Sequence, residues 1–258
     1  MITVTVTNQT GGVGKTSTAH ALITGLYAYG YKVLAIDLDP QTNLTYTSGN
    51  FPDLPTLYDA FTGKSSIQDV ITKSSVGYDV APGDISFSSA DMEFTAKNKT
   101  FILKGLLEPI KENYDYCIID TPPTLGILTI NALSASDKAI IPMNADIYSA
   151  QGLSQLWSLM DSVRTYCNPN LIAAGILINR FNARSVINRQ INDSIYDIAK
   201  TLKTHVFMSH IREAVAVKEV QYMQGSLFRD YPSAKVTSDY WHFIDEFLGK
   251  AVVLNTIK

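Results

Sequence analysis

At 258 residues, with 46% hydrophobic and 17% charged side chains, the chain can bury one large core and is not composed like a disordered polymer. Its formal net charge of −3 confines any nucleic-acid contact to a local basic patch. Cys117 and Cys167 lack metal-type spacing and fit a reducing, cytoplasmic compartment. No apolar run approaches the about 18 residues of a membrane span, and the first residues read as a strand rather than a signal peptide. One α/β domain over residues 1–258 is expected, with no helix-turn-helix ahead of its first strand.

Residues 2–7 alternate Ile or Val with Thr, as a strand does. Gln9-Thr10-Gly11-Gly12-Val13-Gly14-Lys15-Thr16-Ser17 follows, then a helical pattern to Tyr29, stopped by Gly30. Strand, glycine-rich turn and helix in that order make a phosphate cradle. The glycines let backbone N–H groups point inward, and the helix adds its positive end. Residues Gly11, Gly12, Val13, Gly14, Lys15, Thr16 and Ser17 are therefore candidate contacts to a nucleotide. Lys15 supplies charge to the β/γ-phosphates and Thr16 a hydroxyl for Mg²⁺. An ordinary P-loop has glycine where Gln9 stands.

Residues 32–39 read as a buried parallel strand with Asp37 and Asp39 at its carboxyl end, where open α/β sheets place their ligands. Two short helices over 56–61 and 66–72, a strand and turn over 78–83, and an amphipathic stretch over 99–112 look like scaffold. Residues 116–120 lead apolar side chains to Asp120 and stop at Thr121-Pro122-Pro123, a Walker B pattern in which Asp120 holds Mg²⁺ through water. Cys117 within it reads as a small buried residue rather than a redox group. Residues 172–178 form another buried strand, ending at Asn179-Arg180-Phe181. Ser185 caps a helix through Lys203. The final helix, about residues 233–250, sets Asp239, Asp245 and Glu246 on its polar face. That favours docking onto the domain over a basic, membrane-seeking helix.

The glycine-rich stretch resembles the deviant Walker A box of the ParA/MinD ATPases, which reads lysine, two glycines, any residue, glycine, lysine, threonine. The signature lysine alone is missing, replaced by Thr10. The run from Tyr114 through Gly126 and Leu133, and the run from Ala145 to Leu153, are similar to the ParA/Soj branch, so the resemblance spans nearly the whole chain. It implies a single-domain, doubly wound, mostly parallel sheet of the P-loop NTPase class that binds and hydrolyses Mg-ATP. By resemblance Asp39 orients the attacking water, Asp37 supports the metal shell, and Asn179 contacts adenine. The asparagine side chain offers a donor and an acceptor for that base. Residues 206–214 correspond in place to the family's last strand and the loop that closes over the base; that loop's usual proline is absent, with Ser209 or His210 near its place. The resemblance further implies a nucleotide-sandwiched homodimer on non-specific DNA, nucleoid association, and a ParB-like, centromere-bound partner that stimulates hydrolysis. Among basic residues that could face DNA (Arg180, Arg184, Arg189, Lys200, Lys203, Arg212, Lys218, Arg229 and Lys235), Arg189, Lys203, Arg212 and Lys218 lead.

Thr10 cannot reach across a dimer as the signature lysine does. Either the site binds ATP but closes poorly and hydrolyses little, or another cation takes the role, or position 10 carries a deliberate change that traps one state. A MinD-like membrane switch and a nucleotide-binding regulatory module without turnover are the competing functions. An iron–sulfur relative would need paired cluster cysteines, which Cys117 and Cys167 do not supply.

Overall fold

Alternation at the N-terminus becomes β1 (Ile2–Val6), which sends Val4 and Val6 into one core and Thr5 towards Ser136 on the opposite face, with 2.6 Å between their hydroxyl oxygens. The computed structural model describes residues 1–94, 97–144, 147–181 and 186–250. After β1 come α1 (Lys15–Ala28), β2 (Val33–Asp37), α2 (Asn43–Ser48), α3 (Leu57–Thr62), α4 (Ile67–Val70), β3 (Thr72–Lys73), β4 (Asp79–Ala81) and α5 (Ala90–Glu93). The middle holds α6 (Ile102–Leu107), β5 (Tyr116–Asp120), α7 (Ile127–Ala135), β6 (Lys138–Asn144) and α8 (Ile147–Tyr166). The chain closes with β7 (Ile172–Asn179), α9 (Val186–Thr201), β8 (Val206–His210), α10 (Val215–Tyr222), α11 (Leu227–Asp230) and α12 (Lys235–Phe247).

The described strands form one sheet in the order β3-β4-β2-β5-β1-β6-β7-β8. Only β3 runs antiparallel; the other described pairings are parallel, as the expected doubly wound P-loop fold requires. Residues on one sheet face (Val4, Val6, Ala35, Ile118) pack with α1 and α12. Their neighbours on the other face (Leu34, Ile36, Cys117, Ile119) pack with α3, α4, α6 and α7. A third cluster joins Ile141, Met143, Ile176 and Ile178 to α8 and α9. Cys117 is fully buried in the second cluster, in keeping with its reading as a small core residue.

Three scaffold expectations shift at their ends. The helix expected over 66–72 stops at Val70, because Thr72 and Lys73 pair with Val80 and Asp79 as an edge strand. The amphipathic stretch over 99–112 is α6 flanked by 3₁₀ turns at Lys97–Phe101 and Glu108–Asn113. Pro109 has no N–H to donate and crowds the preceding turn, so an α-helix cannot run through it. The last helix spans Lys235–Phe247, shorter at both ends than expected.

Helix α1 is sandwiched between the sheet and α12. A β-carbon added at Gly25 would lie 2.2 Å from Ile244 Cδ1 and 2.9 Å from the Phe228 ring, so glycine permits this close crossing. The acids of α12 are spent on docking. Glu246 accepts the N–H groups of Met208 and Ser209 at 2.7 and 3.1 Å, Tyr29 donates its hydroxyl to Asp245 at 2.6 Å, and Asp239 binds Arg212.

Candidate nucleotide site

Chain order fixes where the site lies. The chain leaves β1 in one direction for β2, across β5, and leaves β5 in the other direction for β6, across β1. That reversal opens a crevice at the carboxyl ends of β1 and β5. Register aligns the walls: Val6 and Asp37 both pair with Asp120.

The loop from β1 to α1 is shaped by two left-handed glycines, Gly12 at φ +73° and Gly14 at φ +87°. Asn8 braces it, accepting the Thr10 N–H at 2.9 Å and donating to the Pro142 carbonyl at 2.8 Å. Helix α1 begins at Lys15 with no side-chain cap and no acid in its first turn, which leaves its first N–H groups and its positive end to an anion. Lys15 is folded over the loop, with Nζ 3.1 Å from the Thr10 carbonyl. Burial pulls its ammonium below the ordinary lysine range, while Asp120 and Asp39 partly restore it.

Thr16 donates its hydroxyl to Asp120 Oδ2 at 2.6 Å. Asp120 is fully buried and its Oδ1 has no hydrogen-bond partner among the described residues. Burial first, and then the neighbouring Asp37, push its carboxyl well above the usual carboxylate range. An unpartnered carboxylate oxygen beside a threonine hydroxyl and under a phosphate-type loop is a donor set suited to a hard dication that keeps part of its water. Among the described residues no cluster of three or more His, Cys, Asp or Glu could hold a metal.

Asp39 and Asp37 part company. Asp39 lines the cleft, one oxygen held by the Gln41 N–H at 3.0 Å. Asp37 lies behind it, fully buried. Its Oδ1 accepts the Asp39 N–H at 3.0 Å, and its Oδ2 accepts the N–H and hydroxyl of Thr45 at 2.8 and 2.7 Å. Burial raises the Asp37 carboxyl to about 6 despite those bonds.

Two cavities adjoin. A cleft of about 520 Å³ is lined by Gly11, Gly12, Lys15, Thr16 and Asp39, and its outer wall includes Tyr46 and Tyr222. A recess of about 130 Å³ lies beyond Gly14, walled by Asn179, Ile211, Val217 and Tyr240. Asn179 sits in that wall but also serves the loop. Its Nδ2 donates to the Val13 carbonyl at 2.8 Å and to the Thr18 hydroxyl at 3.2 Å, and its Oδ1 is buried without a partner among the described residues. Gly14 packs so tightly on it that an added β-carbon would stand 2.7 Å from Nδ2. Gln221 borders both cavities, with Nε2 3.1 Å from Ser17 Oγ. Sequence reading missed Gln221, Thr45 and Tyr46; of these, Gln221 had the clearer cue, since it lies on an amphipathic turn just after the expected base-closing loop.

Of the four leading basic candidates for DNA contact, Lys203 and Lys218 are exposed. Arg212 departs from a free surface cation: it makes a two-pronged ion pair with Asp239, at 2.6 and 2.7 Å, and helps wall the recess. The Arg189 side chain lies outside the described residues, as does all of Arg184.

Comparisons with known proteins identify the family and the fold. Residues 1–173 match the family described as an AAA domain. The chain is 37% identical over 220 residues to the sporulation initiation inhibitor protein Soj of Bacillus subtilis, covering 84% of this chain and 86% of that one. It is 34% identical over 230 residues to the chromosome partitioning protein ParA of Caulobacter vibrioides, covering 86% and 83%. Among solved structures, a cobyrinic acid a,c-diamide synthase from Mycobacterium smegmatis, with bound ATP analog and magnesium, superposes with a TM-score of 0.84 at 27% identity, over 96% of this chain and 94% of that one. The chain belongs to the ParA/Soj family of P-loop ATPases, within the ParA/MinD superfamily.

Proposed function

We propose that this protein is a single-domain, cytoplasmic partition ATPase that binds Mg-ATP, assembles on it as a homodimer over non-specific DNA, and is stimulated by a ParB-like, centromere-bound partner. The observation that carries the reading is that Lys15, Thr16 and Asp39 line one cleft at the carboxyl rim of a parallel sheet, with the buried Asp120 hydrogen-bonded to Thr16. The nucleotide complex of the Mycobacterium smegmatis relative supports ATP with magnesium as the ligand.

The roles follow from the geometry. Loop N–H groups from Gly11 to Ser17 and the start of α1 cradle the phosphates, and Lys15 neutralises their oxygens. Thr16 and Asp120 would hold magnesium, which when bound offsets charge on the β- and γ-phosphates. Asp39, with one oxygen fixed by Gln41, has the other for orienting the attacking water. Asp37 fixes the loop that carries Asp39. The Oδ1 of Asn179 is the acceptor available to an adenine amino group, while its Nδ2 holds the phosphate loop. Gly11, Gly12, Val13, Gly14 and Ser17 are loop contacts rather than chemistry.

Thr10 sets the expected rate. Its hydroxyl would stand 3.0 Å from a β-carbon on Gly152 in α8, so it faces its own subunit and brings no charge to a partner. Turnover is therefore low while binding persists; arginine-finger-type contributions are on the order of 10³ or more in rate. Calorimetry with Mg-ATP tests binding, and absence of heat removes the reading. Thr10→Lys tests the lesion: ATPase should rise by orders of magnitude, and an unchanged rate would show that Thr10 is not the lesion, while absence of single-turnover hydrolysis would leave a nucleotide-binding regulatory module as the better account. A MinD-like membrane function loses support from α12, whose acids bind its own domain.

A further inference from the structure

The end of β7 carries an irregularity that aims a cation at the site. The Ile211 N–H donates to the Ile178 carbonyl at 2.9 Å. A regular parallel ladder would return a bond to the Ile211 carbonyl from the N–H of Arg180. The bond comes instead from Phe181, at 3.0 Å. Asn179 and Arg180 thus stand together opposite one residue, a bulge of the kind that re-aims side chains beside active sites. Arg180 takes the left-handed region, at φ +51°, which L residues with long side chains seldom adopt. The ladder bonds on either side hold it there.

The two bulged residues diverge. Asn179 turns inward and is pinned to the phosphate loop through Val13 and Thr18. Arg180 is exposed, has no ion pair with a carboxylate among the described residues, and borders both the phosphate cleft and the recess beside it. Gly14, Ser17 and Gln221 border both as well. These four residues mark the passage between a recess sized for a base and a cleft sized for a triphosphate. The part of a nucleotide that crosses such a passage is the ribose and the α-phosphate. Strained backbone at a ligand site, held by its surroundings and carrying a guanidinium with no carboxylate partner among the described residues, is matched to an anion.

We infer that Arg180 contacts the nucleotide from within the same subunit, its guanidinium holding the α-phosphate of a bound nucleoside di- or triphosphate; the inference rests on the nucleotide reading above. Because ADP and ATP share that phosphate, its loss acts on both alike. A γ-phosphate contact would act on ATP alone, and a DNA contact on neither.

The test titrates the full chain with Mg-ADP and Mg-ATP, for wild type, Arg180→Ala, Arg180→Lys and Arg180→Gly, with thermal unfolding of each protein without nucleotide and retention of each on non-specific DNA. Arg180→Ala should weaken both nucleotides equally, by about ten- to a hundredfold, as loss of a charge-assisted hydrogen bond does. Arg180→Lys should recover part of it. Arg180→Gly should bind as poorly as the alanine variant yet melt above wild type, because glycine adopts a positive φ without penalty. A merely structural arginine does not produce opposite signs in binding and stability. Unchanged affinity for both nucleotides in Arg180→Ala, loss confined to ATP, or loss of DNA retention alone would each overturn the inference and leave the ATPase reading standing. Wild-type protein that binds neither nucleotide would overturn both.

Discussion

Replacing Thr45 with valine separates two roles for Asp37. The substitution keeps shape and removes a hydroxyl that donates to Asp37 Oδ2 at 2.7 Å and accepts the Gly83 N–H at 2.8 Å. A hydrogen bond to a charged acceptor contributes about 1.5–3 kcal/mol, and a backbone donor left unpaired costs about 1–3 kcal/mol. Thr45 is half-buried, so water recovers part of this, and about 2–4 kcal/mol of destabilisation is expected. That is a large share of the about 5–15 kcal/mol holding an ordinary domain. Thr45→Ser keeps both bonds and should lose about 1 kcal/mol or less. Urea unfolding of the apo-protein reads stability, and ATPase at saturating Mg-ATP reads function. The loop that Thr45 and Asp37 fasten carries Asp39, so turnover should fall about tenfold or more while nucleotide affinity holds. If Thr45→Val unfolds within about 0.5 kcal/mol of wild type and instead needs more Mg²⁺, then Asp37 belongs to the metal shell and the anchor reading is wrong.

His20 is buried, its Nε2 has no partner among the described residues, and burial lowers its pKa to about 4. Between pH 6.5 and 4 the unfolded chain therefore binds the extra proton, so stability is flat above pH 6.5 and falls as the solution is acidified. From pH 7 to 5 the histidine alone should cost about 2 kcal/mol, seen as a steeper pH dependence of the urea midpoint than in His20→Met; parallel curves would refute it. Asp120→Asn removes a buried carboxyl whose ionised form is disfavoured, yet leaves an oxygen for the Thr16 hydroxyl. The apo-protein should unfold at higher urea at neutral pH, while added Mg-ATP should no longer stabilise it; a stabilisation equal to that of wild type would show that Asp120 does not serve the metal. Arg212→Ala should lower the melting temperature through loss of the Asp239 pair, whereas Lys203→Ala with Lys218→Ala should leave melting unchanged and flatten the salt dependence of DNA retention. DNA retention untouched by the lysine pair would exclude that face.

How much of the structure is legible in the sequence depends on how each signal is written. The phosphate loop is local: its glycines, its lysine and its threonine are consecutive, and the strand and helix on either side announce themselves by period, so Gly11 to Ser17 could be assigned directly. Asp120 stands at the end of an unbroken apolar strand, a second local signal. Residues 72–73 did not declare themselves, because a two-residue edge strand has no period and borrows its hydrogen bonds from β4. The break at Pro109 was visible as a proline, and the amphipathic spacing around it outvoted it.

The site's remaining parts are properties of three-dimensional pairing. Asp37 and Asp39 are two residues apart at one strand end and look interchangeable in sequence. Strand alternation would put both on one face, but β2 ends at Asp37 and the chain turns beyond it, so Asp39 meets the cleft and Asp37 meets Thr45 on α2. Arg212 looked like one more surface cation until α12 brought Asp239 to it. Arg180 stood behind it among the basic candidates, and a one-residue bulge in β7, set by which N–H answers the Ile211 carbonyl, turns it towards the phosphate cleft. Charge counted along the chain cannot separate those two arginines. The bonds made by the residues around them do, and those bonds carry the assignment of one arginine to stability and the other to the ligand.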